Sequence, residues 1–297
     1  MPTMAFIGLG VMGLPMARRL VAAGYRVVGH DRAEAAREAA RAGGIEIAAD
    51  AAEAGREATI AITMLPTGDD VREALFGAGG LLESFAPGGL VIDMSTVQPL
   101  ETDELVSRLE AGGWRFLDAP VGRSSQHAEE GRLLIMVGGT AADLERARPV
   151  LAVLGDTIVH CGPAGSGARA KIVNNYLSIV SNVVTAEALV LADRCGLDRE
   201  AALEVMRGTP AGRGHLGTTY PAKVLAGDVT PGFAVDLAHK DLWLALELAA
   251  RLRCPLATGV AAEAAYDLAR ARGRGREDWT TVLNVLAEAH DAGARRR

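Results

Sequence analysis

One lysine and three small polar residues in the stretch 162–178 have the types and the spacing that proton transfer requires. They stand three, four and seven positions apart and therefore share one face of a helix: Lys171, Asn174, Asn175 and Ser178. A lysine partly withdrawn from water loses its proton readily, so Lys171 is the candidate proton donor or acceptor. The amides, with the neighbouring Tyr176 and Leu177, form the predicted substrate-binding segment. The alternative interpretation is a solvated helix face.

A second chemical motif is the sequence Gly-x-Gly-x-x-Gly near the N-terminus. It is formed by Gly8, Gly10 and Gly13, with Val11 and Met12 between the last two. The motif follows an apolar run that predicts a strand and precedes a pattern that predicts a helix, the context in which it binds a dinucleotide. Gly8 permits a tight turn, Gly10 lets a pyrophosphate approach the backbone, and Gly13 lets the helix pack on the strand.

An acid at the end of the next predicted strand indicates which dinucleotide binds. Asp31 stands 23 residues after Gly8, near the distance at which a carboxylate binds the ribose hydroxyls of NAD. Its charge would repel the 2′-phosphate of NADP, so NAD is the predicted cofactor. The guanidinium of Arg32 leaves NADP open, because it could hold that phosphate.

Two further predicted strands end in residues that are candidates for contact with the cofactor. Leu65 ends one of them, and Ser95 and Thr96 follow the other. Ligands of open α/β sheets bind at the carboxyl ends of strands, so Leu65 and Thr96 are predicted cofactor-binding residues. Ser95 and Thr96 could instead cap the helix that follows.

A loop after the predicted strand 115–118 combines a cation with two hydroxyl groups. Arg123, Ser124 and Ser125 are consecutive there. A planar guanidinium beside small donors is suited to an anion, so the three are predicted to bind an anionic substrate group. A surface arginine in a polar turn is the alternative.

The elements that must position these residues fall into two groups. Strand and helix patterns alternate through residues 1–163, which predicts a Rossmann-type, doubly wound α/β domain that binds NAD. Residues 164–297 show only helical patterns, which predicts an all-α domain for substrate binding and oligomerisation. The first helix, predicted over 169–194, is long enough to connect the two domains. Its nearly all-round apolar surface predicts a homo-oligomer, a dimer or a tetramer.

Composition excludes several other classes of function. Hydrophobic residues are 49% and charged residues 23% of the 297 positions, as in an ordinary globular protein. The net charge of −6 argues against nucleic acid as a partner. The three cysteines have no metal-ligand spacing, so no metal site is expected. The N-terminus lacks a signal-peptide pattern and no uninterrupted apolar run reaches about 18 residues, so we expect a cytoplasmic protein without a membrane span.

Three stretches, 6–17, 118–121 and 171–175, together resemble the β-hydroxyacid dehydrogenase family, which includes the 3-hydroxyisobutyrate dehydrogenases. The resemblance covers essentially the whole chain. It implies a Rossmann domain followed by a helical domain, with the active site in the cleft between them. It also implies that Lys171 is the general acid/base, that Asn175 orients the substrate and that Lys240 lies by the cofactor.

One departure from the family pattern concerns the substrate. Most members have Ser-Gly-Gly after the Pro-Val pair, whereas this chain has Gly122-Arg123-Ser124. With the stretches 208–215 and 273–279, this substitution resembles the 3-sulfolactaldehyde reductase branch. That resemblance implies NADH-dependent reduction of 3-sulfolactaldehyde to 2,3-dihydroxypropane-1-sulfonate in sulfoquinovose degradation. A carboxylate substrate such as tartronate semialdehyde, 3-hydroxyisobutyrate or succinate semialdehyde, and a non-catalytic dinucleotide-binding module, are the alternatives.

Overall fold

The computed structural model describes residues 3–294, with side chains described to residue 291. Contacts between residues divide the chain into two compact units, Met1–Tyr176 and Leu177–Arg297. The predicted boundary between residues 163 and 164 lies slightly earlier. The difference arises because a long helix begins at Ser166 and its first turns contact the first unit.

The first unit is built on one sheet of nine strands among the described residues. Their order is β3-β2-β1-β4-β5-β6-β8-β7, with β9 pairing with β8. The pairs of β1 to β6 are parallel, β8 is antiparallel to β6 and β7, and β9 is parallel to β8. The strands are β1 (Thr3–Ile7), β2 (Arg26–His30), β3 (Glu46–Ile47), β4 (Ile60–Thr63), β5 (Leu90–Asp93), β6 (Arg115–Asp118), β7 (Val121–Gly122), β8 (Leu133–Gly138) and β9 (Gly155–Gly162).

Helices connect these strands, as parallel pairing requires. They are α1 (Gly13–Ala22), α2 (Glu34–Ala42), α3 (Ala51–Gly55), α4 (Gly68–Phe76), α5 (Pro99–Ala111), α6 (Ser125–Glu130) and α7 (Ala141–Leu154). The predicted doubly wound α/β fold is therefore confirmed. The short strand β7 and the helix α6 are additions, because the sequence predicts only a loop there.

The core of the first unit lies on both faces of the sheet, which explains the nearly continuous apolar strands. Successive side chains of β1 alternate between the two faces. Met4 and Phe6 belong to one buried cluster, and Ala5 and Ile7 belong to the other. Burial on both faces leaves only the ends of the strands for polar chemistry.

The second unit is helical, as predicted. Its elements are the rest of α8 (Ser166–Arg194), then α9 (Arg199–Gly208), α10 (Pro210–Arg213), α11 (Val235–Arg251), α12 (Ala257–Ala271) and α13 (Val282–Ala294). The sequence predicts a helical segment near 220–225, where the structure has only the 3-10 turn Val224–Ala226, and a second 3-10 turn, His215–Gly217, precedes it. The buried carboxylate of Asp278 accepts hydrogen bonds from the N–H of Gly232 at 2.9 Å and the hydroxyl of Thr280 at 2.7 Å.

Helix α8 is unusually apolar and unusually exposed within the single chain. Val173, Tyr176 and Ile179 expose 70%, 71% and 64% of their surface. Among the described residues, α8 is the one helix whose length and mean hydropathy, 1.3 over its best 18-residue window, would suffice to cross a membrane. The core helix of a soluble protein passes the same test, so length and composition alone do not assign a membrane span.

Candidate active site

A cavity of about 510 Å³ lies at the carboxyl ends of β1, β2 and β4. Seven of the nine predicted cofactor-binding residues line it: Gly8, Gly10, Val11, Met12, Gly13, Asp31 and Leu65. Thr96 is exposed and does not line it. Lys240 belongs to the second unit, on α11, where its ammonium pairs with Asp241 at 2.9 Å. Contact of Thr96 and Lys240 with the cofactor therefore stays a prediction.

The glycine loop at the cavity is shaped by close backbone contacts. Gly8 has a φ of 99°, a conformation that favours glycine. A Cβ atom on Gly13 would lie 1.9 Å from the carbonyl oxygen of Gly8, so α1 packs directly on the turn. A Cβ atom on Gly10, in contrast, would meet no atom within 4 Å. Gly10 thus borders open space at the start of α1, where backbone N–H groups attract a phosphate.

The acid at the end of β2 is held by the loop itself. The carboxylate of Asp31 accepts hydrogen bonds from the N–H of Leu9 at 2.7 Å and the N–H of Ala33 at 2.8 Å. These two bonds fix Asp31 at the rim of the cavity and leave its remaining lone pairs for a ligand. The cofactor-binding role predicted for Asp31 agrees with this position.

The neighbouring arginine is already paired. The guanidinium of Arg32 lies 2.5 Å from the carboxylate of Asp70, at the beginning of α4. The Thr67 hydroxyl and then Arg32 hold the pKa of Asp70 below its usual value. Asp70 also lines the cavity, as do Arg32 itself, Asp50 and Glu73, so acidic side chains outnumber this arginine along the cavity wall. The sequence alone did not identify these acids, because Asp50 precedes α3 whereas Asp70 and Glu73 lie on α4, and only the fold brings them to one cavity.

A buried network holds the adjacent strand ends together. Asp93, 1% exposed, accepts hydrogen bonds from the Thr63 hydroxyl at 2.8 Å and the Ser95 N–H at 3.1 Å. The Ser95 hydroxyl accepts the N–H of Leu65 at 2.9 Å. Burial raises the pKa of Asp93, while these donors counter part of that rise. Ser95 thus positions the cavity wall.

The alternative that Ser95 and Thr96 cap the next helix is wrong. Helix α5 begins after Gln98, whose N–H donates to Glu101 at 3.2 Å. A capping box formed by Gln98 and Glu101, after Ser95 and Thr96 in the chain, therefore supplies the hydrogen bonds at the beginning of α5. The side chain of Ser95 is consequently free to bind Leu65.

Lys171 lies in the second turn of α8 and is half-buried. Its ammonium donates to the carbonyl oxygen of Val121 at 2.7 Å. Burial lowers the pKa of Lys171. A lysine with a lowered pKa, held at one point and open on another side, is suited to proton transfer.

The other members of the polar stripe follow Lys171 along α8. The Asn174 amide donates to the Asn175 side-chain oxygen at 3.3 Å. Asn175 is half-buried, whereas Asn174, Tyr176, Leu177 and Ser178 are exposed in the single chain. The stripe is therefore accessible to a substrate, and its binding role stays a prediction.

The structure places Arg123 differently from the predicted anion site. Its guanidinium donates to Asp156 at 2.6 Å, to Thr157 at 3.3 Å and to the carbonyl oxygen of Arg132. The Ser124 hydroxyl instead contacts His127 at 2.8 Å, and Ser125 begins α6. The guanidinium and the Ser124 hydroxyl therefore have separate partners in the structure, and Asp156 occupies one side of the guanidinium.

The backbone of Arg123 is strained. Its φ is 77°, a left-handed conformation that favours glycine over arginine. Such strain concentrates at functional sites.

Sequence reasoning missed the carboxylate of Asp118, which is 1% exposed. It accepts hydrogen bonds from the N–H groups of Gly165 and Ala168, both at 2.7 Å. Its position at the end of a predicted strand, inside one of the stretches that carry the family resemblance, was the available signal. Among residues 3–294, no three His, Cys, Asp or Glu side chains are grouped so that they could hold a metal ion.

Two family models match the chain, one after the other. The NAD binding domain of 6-phosphogluconate dehydrogenase matches residues 3–162. The NAD-binding domain of NADP-dependent 3-hydroxyisobutyrate dehydrogenase matches residues 165–286.

Curated relatives span nearly the whole chain. The 3-sulfolactaldehyde reductase of Escherichia coli (strain K12) is 47% identical over 287 residues, 96% of each chain. The 2-(hydroxymethyl)glutarate dehydrogenase of Eubacterium barkeri is 38% identical over 94% of this chain and 93% of its own.

Among solved structures, 3-hydroxyisobutyrate dehydrogenase of Mycobacterium tuberculosis with L-serine is 36% identical, with a TM-score of 0.69 over 96% of this chain and 99% of that chain. An imine reductase of Myxococcus stipitatus with NAD+, 19% identical with a TM-score of 0.88 over 96% of this chain and 99% of that chain, shares the fold.

The glycine loop yields a matched pair of substitutions. Gly13→Ala should lower the midpoint of thermal unfolding by about 5 °C, because overpacking costs ~1–3 kcal/mol and each kcal/mol shifts a midpoint by ~2–4 °C. Gly10→Ala should leave the midpoint unchanged, since its Cβ enters open space. Differential scanning calorimetry of both variants measures this.

The same two variants distinguish an effect on stability from an effect on cofactor binding. Gly10→Ala should weaken NADH binding about tenfold, measured by fluorescence titration, because its methyl group occupies the space proposed for the pyrophosphate. An unchanged NADH affinity in Gly10→Ala would place the dinucleotide elsewhere.

Proposed function

The chain belongs to the β-hydroxyacid dehydrogenase family of the 3-hydroxyisobutyrate dehydrogenase type, and on that premise we propose that it reduces 3-sulfolactaldehyde to 2,3-dihydroxypropane-1-sulfonate with NADH. The resemblance seen in the sequence is thereby confirmed at the level of the family, and the protein is a dehydrogenase that acts on a CH–OH group. The single observation that carries the finer proposal is the 47% identity to a 3-sulfolactaldehyde reductase over 96% of both chains. Under this proposal the enzyme works in sulfoquinovose degradation in the cytoplasm.

Arg123 supports a sulfonate rather than a carboxylate substrate. It replaces glycine in the loop where most of the family binds a planar carboxylate, and it keeps its place there despite a left-handed backbone. A sulfonate presents three oxygens in a tetrahedral arrangement, which a guanidinium with neighbouring hydroxyl groups can engage from several directions. We assign Arg123, Ser124 and Ser125 to this group.

The residues at the first cavity fit a nicotinamide dinucleotide. The open space at Gly10 and the start of α1 suit a pyrophosphate, and Asp31 stands at the rim for the ribose hydroxyls. When bound, the reduced nicotinamide supplies the hydride for a carbonyl carbon. Asp31 and Asp70 disfavour a 2′-phosphate, because a phosphate near two carboxylates is repelled. NADH is therefore the proposed cofactor.

Lys171 supplies the proton that the reduced carbonyl oxygen needs. Its half-buried ammonium is held at the Val121 carbonyl oxygen, and burial brings its pKa down from its ordinary value towards the working range. Asn174, Asn175 and Ser178 lie along the same helix and orient the substrate hydroxyl group. In the reverse direction, the neutral amine of Lys171 accepts the proton.

A carboxylate substrate is the second candidate, and one contact favours it. The salt bridge from Arg123 to Asp156 already neutralises the guanidinium, which leaves the backbone N–H groups of the loop for a flat carboxylate. The relative that acts on 2-(hydroxymethyl)glutarate, at 38% identity, supports the same alternative. Only a direct comparison of substrates separates the two.

Assembly into a homo-oligomer belongs to the same proposal. The exposed apolar side chains of α8, among them Val173 and Ile179, are too numerous for a free surface and require cover. We also propose that residues 1–163 act as the NAD-binding domain and residues 164–297 as the helical domain.

Replacing Lys171 tests the proton transfer. Lys171→Ala should lower kcat for aldehyde reduction at least about a hundredfold, the low end for a lost general acid, while NADH binding is retained. In the parent enzyme, kcat/KM for reduction should fall as pH rises through the pKa of Lys171, because the charged form is the donor. That fall should lie below pH ~10.4, the ordinary value for lysine.

Lys223→Arg is the control, since it alters a lysine that pairs with Asp228 and keeps that pair's charge. Stopped-flow and steady-state assays across pH 6–11 measure both enzymes. Full turnover in Lys171→Ala would remove Lys171 from the mechanism.

The substrate is tested by assaying 3-sulfolactaldehyde and succinate semialdehyde side by side. We expect a preference for the sulfonate of about several hundredfold in kcat/KM, which a set of charged hydrogen bonds can supply. Arg123→Gly should abolish this preference and leave the KM for NADH unchanged. Glycine suits the left-handed backbone at this position, so the variant should fold normally.

Arg132→Ala is the matched control, because Arg132 lies beside the same Asp156 at 3.6 Å but outside the loop. It should keep the sulfonate preference. Asp156→Asn should lower the KM for the sulfonate, since it frees the guanidinium. Equal activity with both aldehydes in the parent enzyme would favour the carboxylate alternative.

The choice between NADH and NADPH is tested at Asp70. Asp70→Asn releases Arg32 and removes one negative charge, so the KM for NADPH should fall on the order of tenfold, the effect of ~1.4 kcal/mol, while that for NADH changes little. Asp69→Asn makes the same change of charge one residue away, on a side chain that pairs with Arg72 instead. Steady-state kinetics measures the KM for NADH and for NADPH in both variants. An equal change in Asp70→Asn and Asp69→Asn would refute a specific role for Asp70.

A further inference from the structure

The buried carboxylate of Asp118 holds the beginning of α8 against the sheet. Its two oxygens accept the N–H groups of Gly165 and Ala168, each at 2.7 Å, across 47 and 50 residues of chain. The first N–H groups of a helix have no partner inside the helix, and a negative charge there is favourable. Asp118 therefore provides, from the end of β6, hydrogen-bond acceptors for the beginning of α8.

Two glycines make this contact tight. A Cβ atom on Gly167 would lie 2.3 Å from the carbonyl oxygen of Met136 and 2.7 Å from that of Asp118. A Cβ atom on Gly138, the partner of Asp118 in the sheet, would lie 2.4 Å from the Asp118 carboxylate. The backbone of α8 thus rests directly on β6 and β8, which leaves its first turn no room to slide.

A second bond joins the same two segments one turn later. Lys171 follows Ala168 by three residues, and its ammonium donates to the carbonyl oxygen of Val121, which follows Asp118 by three residues. The segment from Asp118 to Val121 therefore binds the helix backbone at one end and the lysine at the other. A small displacement of the first turn would break the 2.7 Å bond at Lys171.

We propose that Asp118 is the positioning residue for Lys171: it clamps the first turn of α8 and thereby keeps the ammonium half-buried at the Val121 carbonyl oxygen. The proposal rests on the proton-transfer role given to Lys171 above. The charged side chains around the clamp are Asp93 at the end of β5 and the pair formed by Arg169 of α8 and Asp103 of α5.

Asp118→Asn is the primary test, because it keeps the size of the side chain but turns an amide NH2 towards one of the two N–H donors. We expect kcat for aldehyde reduction to fall about ten- to a hundredfold, the effect of a misplaced catalytic group, with the KM for NADH unchanged. Asp103→Asn is the control. It breaks an exposed ion pair to the same turn, through Arg169, and should change kcat less than about twofold.

A second readout does not depend on catalysis. The chain contains three lysines, Lys171, Lys223 and Lys240, so reductive methylation with ¹³C-formaldehyde gives three side-chain signals whose pH titration reports each pKa by NMR. A Lys171→Arg variant assigns the signal. In Asp118→Asn the pKa of Lys171 should rise towards its ordinary value as the ammonium moves into water.

Gly138→Ala disturbs the same contact without removing the carboxylate. Its methyl group would lie 2.4 Å from the Asp118 carboxylate and 2.8 Å from the backbone N of Gly167, so it should shift the first turn of α8 and raise the pKa of Lys171 in the same direction. A fall of that pKa in Asp118→Asn, or no change in either variant, would overturn the proposal. If the enzyme reduces neither aldehyde, the proposed function fails, but the lysine titration still tests the clamp.

Discussion

The carboxyl edge of the sheet depends on two buried carboxylates that lie side by side. Asp93 ends β5 and Asp118 ends β6, and the two residues are partners in the parallel pairing. A carboxylate out of water is unfavourable unless hydrogen-bond donors surround it. The donors come from chain segments outside each strand, namely Ser95 for Asp93 and the first turn of α8 for Asp118. Burial raises the pKa of both groups, and the hydrogen bonds that oppose this rise link Asp93 to the cavity wall and Asp118 to the helix that carries Lys171.

Much of this arrangement follows from local sequence patterns. The glycine loop, Asp31 and the alternation of strands and helices are visible because each depends on residues close together in the chain. The helical spacing after Lys171 likewise predicts α8, which begins three residues earlier than expected, at Ser166. The all-α second unit is visible for the same reason, although its turns near His215 and Val224 are too short to show a helical period.

Partners of side chains could not be predicted, because they come from distant parts of the chain. Arg32 pairs with Asp70, and Arg123 pairs with Asp156, 38 and 33 residues away. Ser95 looks like a helix cap in the sequence, yet a capping box further along leaves it free to bind Leu65. Local pattern gives the type of a side chain and its element, whereas tertiary packing decides what the side chain contacts.

The salt bridge between Arg123 and Asp156 is the physical basis of the proposed substrate selectivity. A guanidinium with no partner would bind many anions, whereas one already paired with Asp156 favours a ligand that compensates for any weakening of that pair. The left-handed backbone of Arg123 adds a cost that glycine would avoid, and such a cost persists where the side chain has a use. A sulfonate can offer three oxygens to Arg123 and the nearby hydroxyl groups, one more than a carboxylate. Under the proposed function, selectivity arises from the difference between two ionic contacts of the same arginine.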